Sequence, residues 1–313
     1  MKFKHPRSPL IQARNGLLLA LIAALMPHMG LAQSSKPLNR KNAMSTSNPP
    51  ATAPTTPSSD TSPPANSASA LPLFYQSVVA FDTTRHRDLS LPRQWDQFGY
   101  ASRTNVIPIT VTEAALALRD YPLVFVKDPK SGSVNLLALV GNGDGTNQFV
   151  DGKGKWQANA YIPAWVRRYP FLLAMDDKQQ PFLAFDANAT TLLKGKGERD
   201  ALIDSEGKPT ARLQQVMALQ QEYAAAANLT EQLANKLLQA GVLEEARLTL
   251  QSPDRSSPLN LVGFMLVNEK KLRELAPAEV EKLHAADALG LAYAQIFSMV
   301  NLRKLRLPST SKP

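Results

Sequence analysis

The stretch NQFVDGKGKWQANAYIPAWVRRYPF, residues 147–171, combines a turn, a short helix and the densest aromatic and cationic cluster of the chain. Asp151-Gly152-Lys153-Gly154 predicts a turn, because glycine adopts positive φ without steric cost. Pro163 predicts the start of a short helix and Pro170 its end, since proline has a fixed φ and no N–H. The segment between the prolines carries Trp165, Arg167, Arg168 and Tyr169.

The two arginines allow two interpretations, and the first is a binding site. A guanidinium is a planar fork of donors that matches a carboxylate or a phosphate. Arg167 or Arg168, with Trp165 and Tyr169 beside them, could therefore bind an anionic ligand. Adjacent helical positions point about 100° apart, so both arginines cannot easily hold the same ligand.

The second interpretation is structural. A guanidinium surrounded by aromatic rings loses water, so we expect it to stack on a ring and to meet a carboxylate. Asp151 and Asp186 are the candidate acids, because each ends an apolar, strand-like run. One arginine would then be buried and the other would face water. Under this interpretation, Trp156, Pro163 and Pro170 also have structural roles.

Composition narrows the function classes. The 313-residue chain has no cysteine, which excludes disulfides, thiolate metal sites and a cysteine nucleophile. Its net charge of +9 falls to +5 without residues 1–32, and the remainder contains no block of Lys and Arg. We therefore expect no nucleic-acid partner, since such partners usually need a concentrated basic stripe.

The first 70 residues differ from the rest. Residues 1–32 predict a secretory signal peptide, with a basic start, an apolar run at 17–26 and a small-residue cleavage pattern at 30–32. An uncleaved anchor is the alternative. The run is too short to span a bilayer, and no later segment predicts a transmembrane helix or a multi-span domain. Residues 33–70 are rich in Pro, Ser and Thr, which predicts a disordered linker.

Localisation depends on where translation starts. If Met1 is the start, the leader predicts export to the periplasm or the cell surface. If translation starts at Met44, the chain lacks the leader and is cytoplasmic.

Residues 71–307 predict one α+β domain, with mostly antiparallel strands in the N-terminal half and helices in the C-terminal half. Extended segments are predicted from apolar and β-branched runs at 73–81, 105–111, 122–127, 134–140, 171–175, 181–185, 246–251 and 261–268. The pairs 122–127 with 134–140 and 171–175 with 181–185 predict hairpins.

Helices are predicted from apolar periodicity and capping residues at 113–119, 210–227, 230–240, 269–275, 277–285 and 287–302. Thr112 and Thr230 are the expected caps of the first and third helices. The last helix has a periodic apolar face that we expect to dock on the core: Leu289, Ala292, Tyr293, Ile296, Phe297 and Val300.

Catalytic and metal motifs are weak. His86 and His284 lie far apart and lack metal-ligand spacing. The Gly, Asn and Asp cluster at 141–155 fails the calcium-loop pattern, so turns are the better interpretation. No serine sits in a nucleophile-elbow context. We expect no metal, no cofactor and no enzyme with a recognisable mechanism.

Several segments together resemble the bacterial SapC family, which is linked by name to surface (S-) layers. They are LPLFYQSVVAFDTTRHRDLSL at 71–91, NVIP at 105–108, YPLVF at 121–125, NQFVDGKGKW at 147–156, YIPAWVRRYPF at 161–171 and GFMLVNEKKLREL at 263–275. Family members usually have His where this chain has Gln295, and often lack an export leader. The resemblance implies an association with the cell envelope or surface layer and gives no catalytic residue.

Two functions follow as expectations. The first is a non-enzymatic role in the envelope or surface layer, with an envelope component as partner. The alternative is a soluble protein, or accessory enzyme, that binds a small anionic ligand through Arg167 or Arg168.

Overall fold

The computed structural model describes residues 71–93, 95–194, 199–250 and 259–305. The predicted signal peptide and linker lie outside these residues. Eleven strands are described, in chain order: β1 Val78–Ala80, β2 Leu89–Pro92, β3 Val106–Pro108, β4 Leu123–Lys127, β5 Val134–Leu139, β6 Phe171–Met175, β7 Pro181–Asp186, β8 Leu193–Lys194, β9 Arg199–Ala201, β10 Leu243–Leu250 and β11 Leu259–Val267.

The described helices are α1 Val111–Ala117, α2 Ala164–Arg167, α3 Ala211–Gln239, α4 Glu269–Arg273, α5 Pro277–Ala285 and α6 Ala288–Ser298. Two 3-10 helices, Gly99–Ala101 and Met299–Lys304, complete the set. None of the helices in the described ranges has both the length and the hydropathy needed to cross a membrane.

The strands form three sheets, and every described pair is antiparallel. The central sheet has the order β10-β11-β4-β5-β3, and two three-stranded sheets have the orders β1-β7-β6 and β8-β2-β9. The strands up to β9 precede the long helix α3, and most helices follow it. The predicted α+β class is confirmed, as are the hairpins β4–β5 and β6–β7.

The long helix α3 joins two helices that the sequence predicts separately. Thr230, expected to cap the second, lies inside a continuous helix. Its hydroxyl donates to the Ala226 carbonyl at 2.6 Å and accepts from the Val111 N–H at 2.7 Å. The hydroxyl therefore ties α3 to the start of α1 and does not begin a new helix. The prediction of two helices is wrong because a cap residue can also bond backward within a helix.

Two N-terminal elements also differ from the prediction. The segment 73–81 contains only the short strand β1, because Phe74 has a φ of 81° and turns the chain. Helix α1 is capped by Thr110, where Thr112 was expected. The Thr110 N–H donates to Glu113 Oε1 at 2.9 Å, so Glu113 reaches back to the helix start as in a capping box.

The last helix docks on the core through a face that only partly overlaps the predicted one. Its buried side chains are Ala288, Leu291, Ala292, Ala294, Gln295 and Ser298. Leu289, Ala292 and Ile296 pack against the core as predicted, whereas Tyr293, Phe297 and Val300 are exposed. The helix turns polar residues inward because the core contains strand ends that need hydrogen-bond partners. Ser298 Oγ, for example, accepts from the Leu123 N–H at 2.8 Å.

Where β4 and β11 separate, the Gln295 side chain supplies hydrogen bonds that strand pairing would otherwise supply. The two strands pair at Met265 and Phe125, and the same register would next place Val267 opposite Leu123. Instead, Gln295 Oε1 accepts from the Val267 N–H at 2.9 Å, and Gln295 Nε2 donates to the Leu123 carbonyl at 3.2 Å. The Gln295 amide thereby satisfies one buried group on each strand, and its side chain is only 1% exposed.

We predict that Gln295→Leu lowers the free energy of unfolding by about 2–4 kcal/mol, because two buried backbone groups lose their partners. Gln295→His should lose less, since an imidazole can still donate and accept. The control is Gln221→Leu, an exposed position of α3 that should change stability little. Urea unfolding measures all three variants, and a near-neutral Gln295→Leu would contradict this role.

Candidate functional site

The stretch 147–171 folds as a turn followed by a short helix. Val150 and Trp156 form an antiparallel bridge, and Asp151 Oδ1 accepts from the Lys153 N–H at 2.9 Å and the Lys155 N–H at 2.8 Å inside that turn. Trp156 is buried, and its Nε1 donates to Tyr121 Oη at 3.2 Å. The predicted turn is present, and Asp151 is an exposed residue that closes it.

The short helix α2 lies between the two prolines. Pro163 is its N-cap, the helix runs over Ala164–Arg167, and Pro170 follows a cis peptide bond from Tyr169. Glu113 on α1 fixes the start of α2, because its Oε2 accepts from the Ala164 N–H at 2.7 Å. Buried Glu113 therefore joins the first turns of two helices.

Arg168 is the buried arginine of the pair, with 8% of its surface exposed. Its guanidinium carbon lies 4.8 Å from the centre of the Trp165 ring and 4.4 Å from the centre of the Tyr223 ring. Trp165 belongs to α2 and Tyr223 to α3, so the guanidinium connects the two helices through cation–π contacts. Gln220 adds a second connection, since its Nε2 donates to the Arg168 carbonyl at 3.2 Å.

Neither expected acid pairs with Arg168. Among the described residues, no carboxylate forms an ion pair with it. The Asp151 carboxylate already accepts two backbone N–H groups within its own β-turn segment. Asp186, fully buried, accepts hydrogen bonds from four groups: the Gln76, Ser77 and Asn188 N–H groups and the Tyr169 hydroxyl, at 2.9–3.1 Å. The predicted Arg–Asp pair is therefore wrong, because backbone and tyrosine donors already saturate Asp186.

Tyr75 lies beside both charged groups. Its ring meets the Trp165 and Tyr169 rings edge to face, and its hydroxyl donates to the Phe171 carbonyl at 2.8 Å. Burial raises the pKa of Tyr75 to about 12, an effect that the Arg168 charge opposes and the Asp186 charge reinforces. The tyrosine is therefore neutral at physiological pH and acts as a hydrogen-bond donor.

Arg167 is the exposed arginine. Its Nε donates to the Ile162 carbonyl at 3.0 Å, and its guanidinium carbon lies 5.9 Å from the centre of the Tyr161 ring. Tyr161 in turn donates to Glu113 Oε2 at 2.8 Å. Burial, and then the Glu113 carboxylate, raises the pKa of Tyr161 to about 12.

A cavity of about 290 Å³ opens between α2, α3 and the β2 region. Arg167, Arg168 and Tyr169 line it, as the binding-site interpretation requires, whereas Trp165 lies behind Arg168 in the core. The other lining residues are Leu91, Trp95, Phe98, Ile162, Phe171, Arg212, Gln215, Val216, Leu219 and Gln220. The cavity is therefore mostly apolar, with three guanidiniums and two amides at its wall.

Arg212 makes only long contacts in the described part of the chain. Its Nε is buried without a hydrogen-bond partner in the described part of the chain, and Asp200 Oδ2 lies 4.0 Å away. Its other nitrogens make only long contacts, to Gln215 Oε1 at 3.4 Å and to the Pro92 carbonyl at 3.5 Å. Gln220 Oε1 is likewise buried without a partner among the described residues. With Trp95 Nε1, which also lacks a partner among the described residues, the wall offers two donors and one acceptor that make no hydrogen bond.

A second cavity, of about 480 Å³, adjoins the first at Trp95. Its other lining residues are Pro92, Asp96, Gln97, Gly99, Tyr100, Thr190 and Thr191. Asp96 pairs with Lys155, so the negative charge of Asp96 at this cavity is neutralised.

The weaker candidates have structural positions. His86 Nδ1 accepts from the Asp82 N–H at 2.9 Å, and His284 is exposed on α5. Gly143 and Gly145 lie in the loop after β5, and their N–H groups donate to Asn105 Oδ1 at 3.0 Å. No group of three or more His, Asp or Glu side chains in the described ranges is arranged to hold a metal.

The sequence missed the contribution of α3 to the cavity. Arg212, Gln215, Leu219 and Gln220 recur on one side of that helix with helical spacing. That periodicity is visible in the sequence, but nothing in it indicates that this side faces α2. The contact depends on the fold.

We predict that the two arginines differ in their effect on stability. Arg168→Ala should lower the free energy of unfolding by about 2–4 kcal/mol, because it removes two ring contacts and buried packing. Arg167→Ala should cost less than about 1 kcal/mol, since the side chain is exposed. Arg168→Lys keeps the charge but loses the planar guanidinium, so its loss of stability should lie between those of the two alanine variants. Equal effects of the two alanine variants in urea unfolding would contradict this assignment.

Comparison with known families shows the family to which the chain belongs. A family model described as SapC matches residues 81–305, which is more than half of the 313 residues and includes every residue that lines the first cavity. Comparisons with curated proteins and with solved structures give no match. The chain belongs to the SapC family.

Proposed function

We propose that this SapC-family protein binds a small organic anion, a carboxylate or a phosphate with an apolar body, in the cavity between α2 and α3. The observation that supports this most directly is the charge of the wall. Three arginines line the cavity, and its described lining residues include no Asp or Glu. The apolar residues of the wall would contact the body of the ligand, as in most small-molecule sites.

Arg212 is the residue we assign to the anion. Its Nε has no hydrogen-bond partner among the described residues and only a 4.0 Å ion-pair contact with Asp200, so it can donate a charge-assisted hydrogen bond, whereas the Arg168 guanidinium is already stacked between two rings. Gln220 Oε1 would accept a hydroxyl or amine proton of the same ligand. We assign a binding role to the cavity, because the described polar side chains of its wall are mainly arginine and glutamine, which hold an anion by donating hydrogen bonds.

We predict that a screen of small carboxylates and phosphates finds ligands that raise the melting temperature of the protein, since a ligand that binds only the native state stabilises it. Arg212→Gln should weaken binding of such a ligand about tenfold or more, through loss of a charge-assisted hydrogen bond. The control is Arg273→Gln on α4, whose partner is the exposed Glu269 at 2.8 Å. Titration calorimetry compares the affinities. The proposal fails if no anion stabilises the protein, or if Arg212→Gln binds as well as the wild type.

We further propose that the protein acts in the cell envelope, with an envelope or surface-layer component as its partner. The leader pattern at 1–32 and membership of the SapC family support this role. Export to the periplasm or cell surface follows if Met1 is the start, and a cytoplasmic location follows if Met44 is the start.

N-terminal sequencing of the native protein tests the export proposal. We expect Gln33 as the first residue, because the predicted cleavage follows Ala32. Met44 or Ser45 at the terminus, together with protein found only in the cytosolic fraction, would rule out the envelope role and leave the ligand-binding proposal intact.

A further inference from the structure

Helix α6 has an apolar outer face that no described residue covers. Tyr293, Phe297 and Val300 are 44%, 61% and 57% exposed, and the rings of Tyr293 and Phe297 stack with their centres 5.8 Å apart. The whole segment 288–302 contains no charged residue. A contiguous exposed apolar patch usually marks an interaction surface.

Charges of opposite sign stand at the two ends of this face. Asp287, exposed, precedes the helix, and Arg303, also exposed, follows it in the 3-10 helix Met299–Lys304. Residues three apart eclipse one another in a 3-10 helix, so Arg303 continues the row that ends with Val300. The outer row therefore reads Asp287, Gly290, Tyr293, Phe297, Val300 and Arg303.

When a second copy of this row runs in the opposite direction, the residues that face one another are complementary in charge and size. Asp287 and Arg303 lie eight residues on either side of Gln295, Gly290 and Val300 lie five, and Tyr293 and Phe297 lie two. We propose that α6 forms a two-fold symmetric homodimer by packing antiparallel against α6 of a second copy. Asp287 then meets Arg303 of the second copy, Tyr293 meets Phe297, and the space above Gly290 receives Val300.

The local geometry at Gly290 fits this arrangement. Gly290 is exposed, and a Cβ added there would lie within 4 Å of no described atom apart from its chain neighbours and the backbone of its own helix. The absence of a side chain leaves room for a branched residue from the second copy. Isologous interfaces, in which each copy contributes the same surface, are the commonest form of protein dimer.

Charge favours a second copy in this orientation over other occupants. A parallel pair would place Asp287 against Asp287 and Arg303 against Arg303, which is repulsive. An anionic lipid surface would attract Arg303 and Lys304 at one end and repel Asp287 at the other. The antiparallel pair joins opposite charges at both ends and apolar groups between them. This surface shares no residue with the wall of the ligand cavity.

Sedimentation equilibrium of the full chain tests the dimer. We expect the wild type to be dimeric and Phe297→Asp to be a folded monomer that still melts in one cooperative transition, because residue 297 is exposed in the single chain. The control is Met175→Asp at the end of β6, 40% exposed, which should remain dimeric. A monomeric wild type, or a dimer that survives Phe297→Asp, overturns the proposal. A monomer that floats with phosphatidylglycerol vesicles would assign the face to lipid and also overturn it.

Cysteine cross-linking tests the register, since the natural chain has no cysteine. Gly290→Cys and Val300→Cys combined in one chain should form a covalent dimer under mild oxidation. Each single variant should not, because antiparallel packing separates identical positions. Efficient cross-linking of either single variant, or none in the double variant, overturns the antiparallel register.

Discussion

The stacking of Arg168 between Trp165 and Tyr223 is the contact on which the site depends. It joins the short helix α2 to the long helix α3 without a carboxylate at ion-pair distance among the described residues. A stacked guanidinium keeps its charge while the rings replace much of its lost water. The same guanidinium lies at the wall of the cavity between the two helices.

Buried polar side chains connect the other elements in a similar way. Asp186 collects N–H groups from the start of the described chain, and Glu113 ties the first turns of α1 and α2 together. Gln295 bridges β4 and β11 where their pairing stops. Each of these residues satisfies backbone groups that would otherwise be buried without partners, at a cost of about 1–3 kcal/mol each. The polar residues thus determine how the sheets and helices fit together.

Local patterns predicted the elements better than they predicted the contacts. Alternating apolar runs with turn residues between them located the hairpins β4–β5 and β6–β7, and Pro163 and Pro170 bounded α2. The face of α6 was predicted only in part, because Tyr293, Phe297 and Val300 point outward. Gln295 and Ser298 point inward to strand ends that the sequence does not show. One arginine of the pair was expected beside an acid, because nothing in the sequence indicated that Tyr223, 55 positions from Arg168, would supply a second ring.

A double-mutant cycle between Arg168 and Tyr223 tests the central contact most directly. The free energies of unfolding of Arg168→Ala, Tyr223→Leu and the double variant give the coupling between the two side chains. If the guanidinium and the ring stabilise each other, the coupling should be about 1 kcal/mol or more. Additive effects, within about 0.3 kcal/mol, would show that the two residues stabilise the fold independently and would contradict the account.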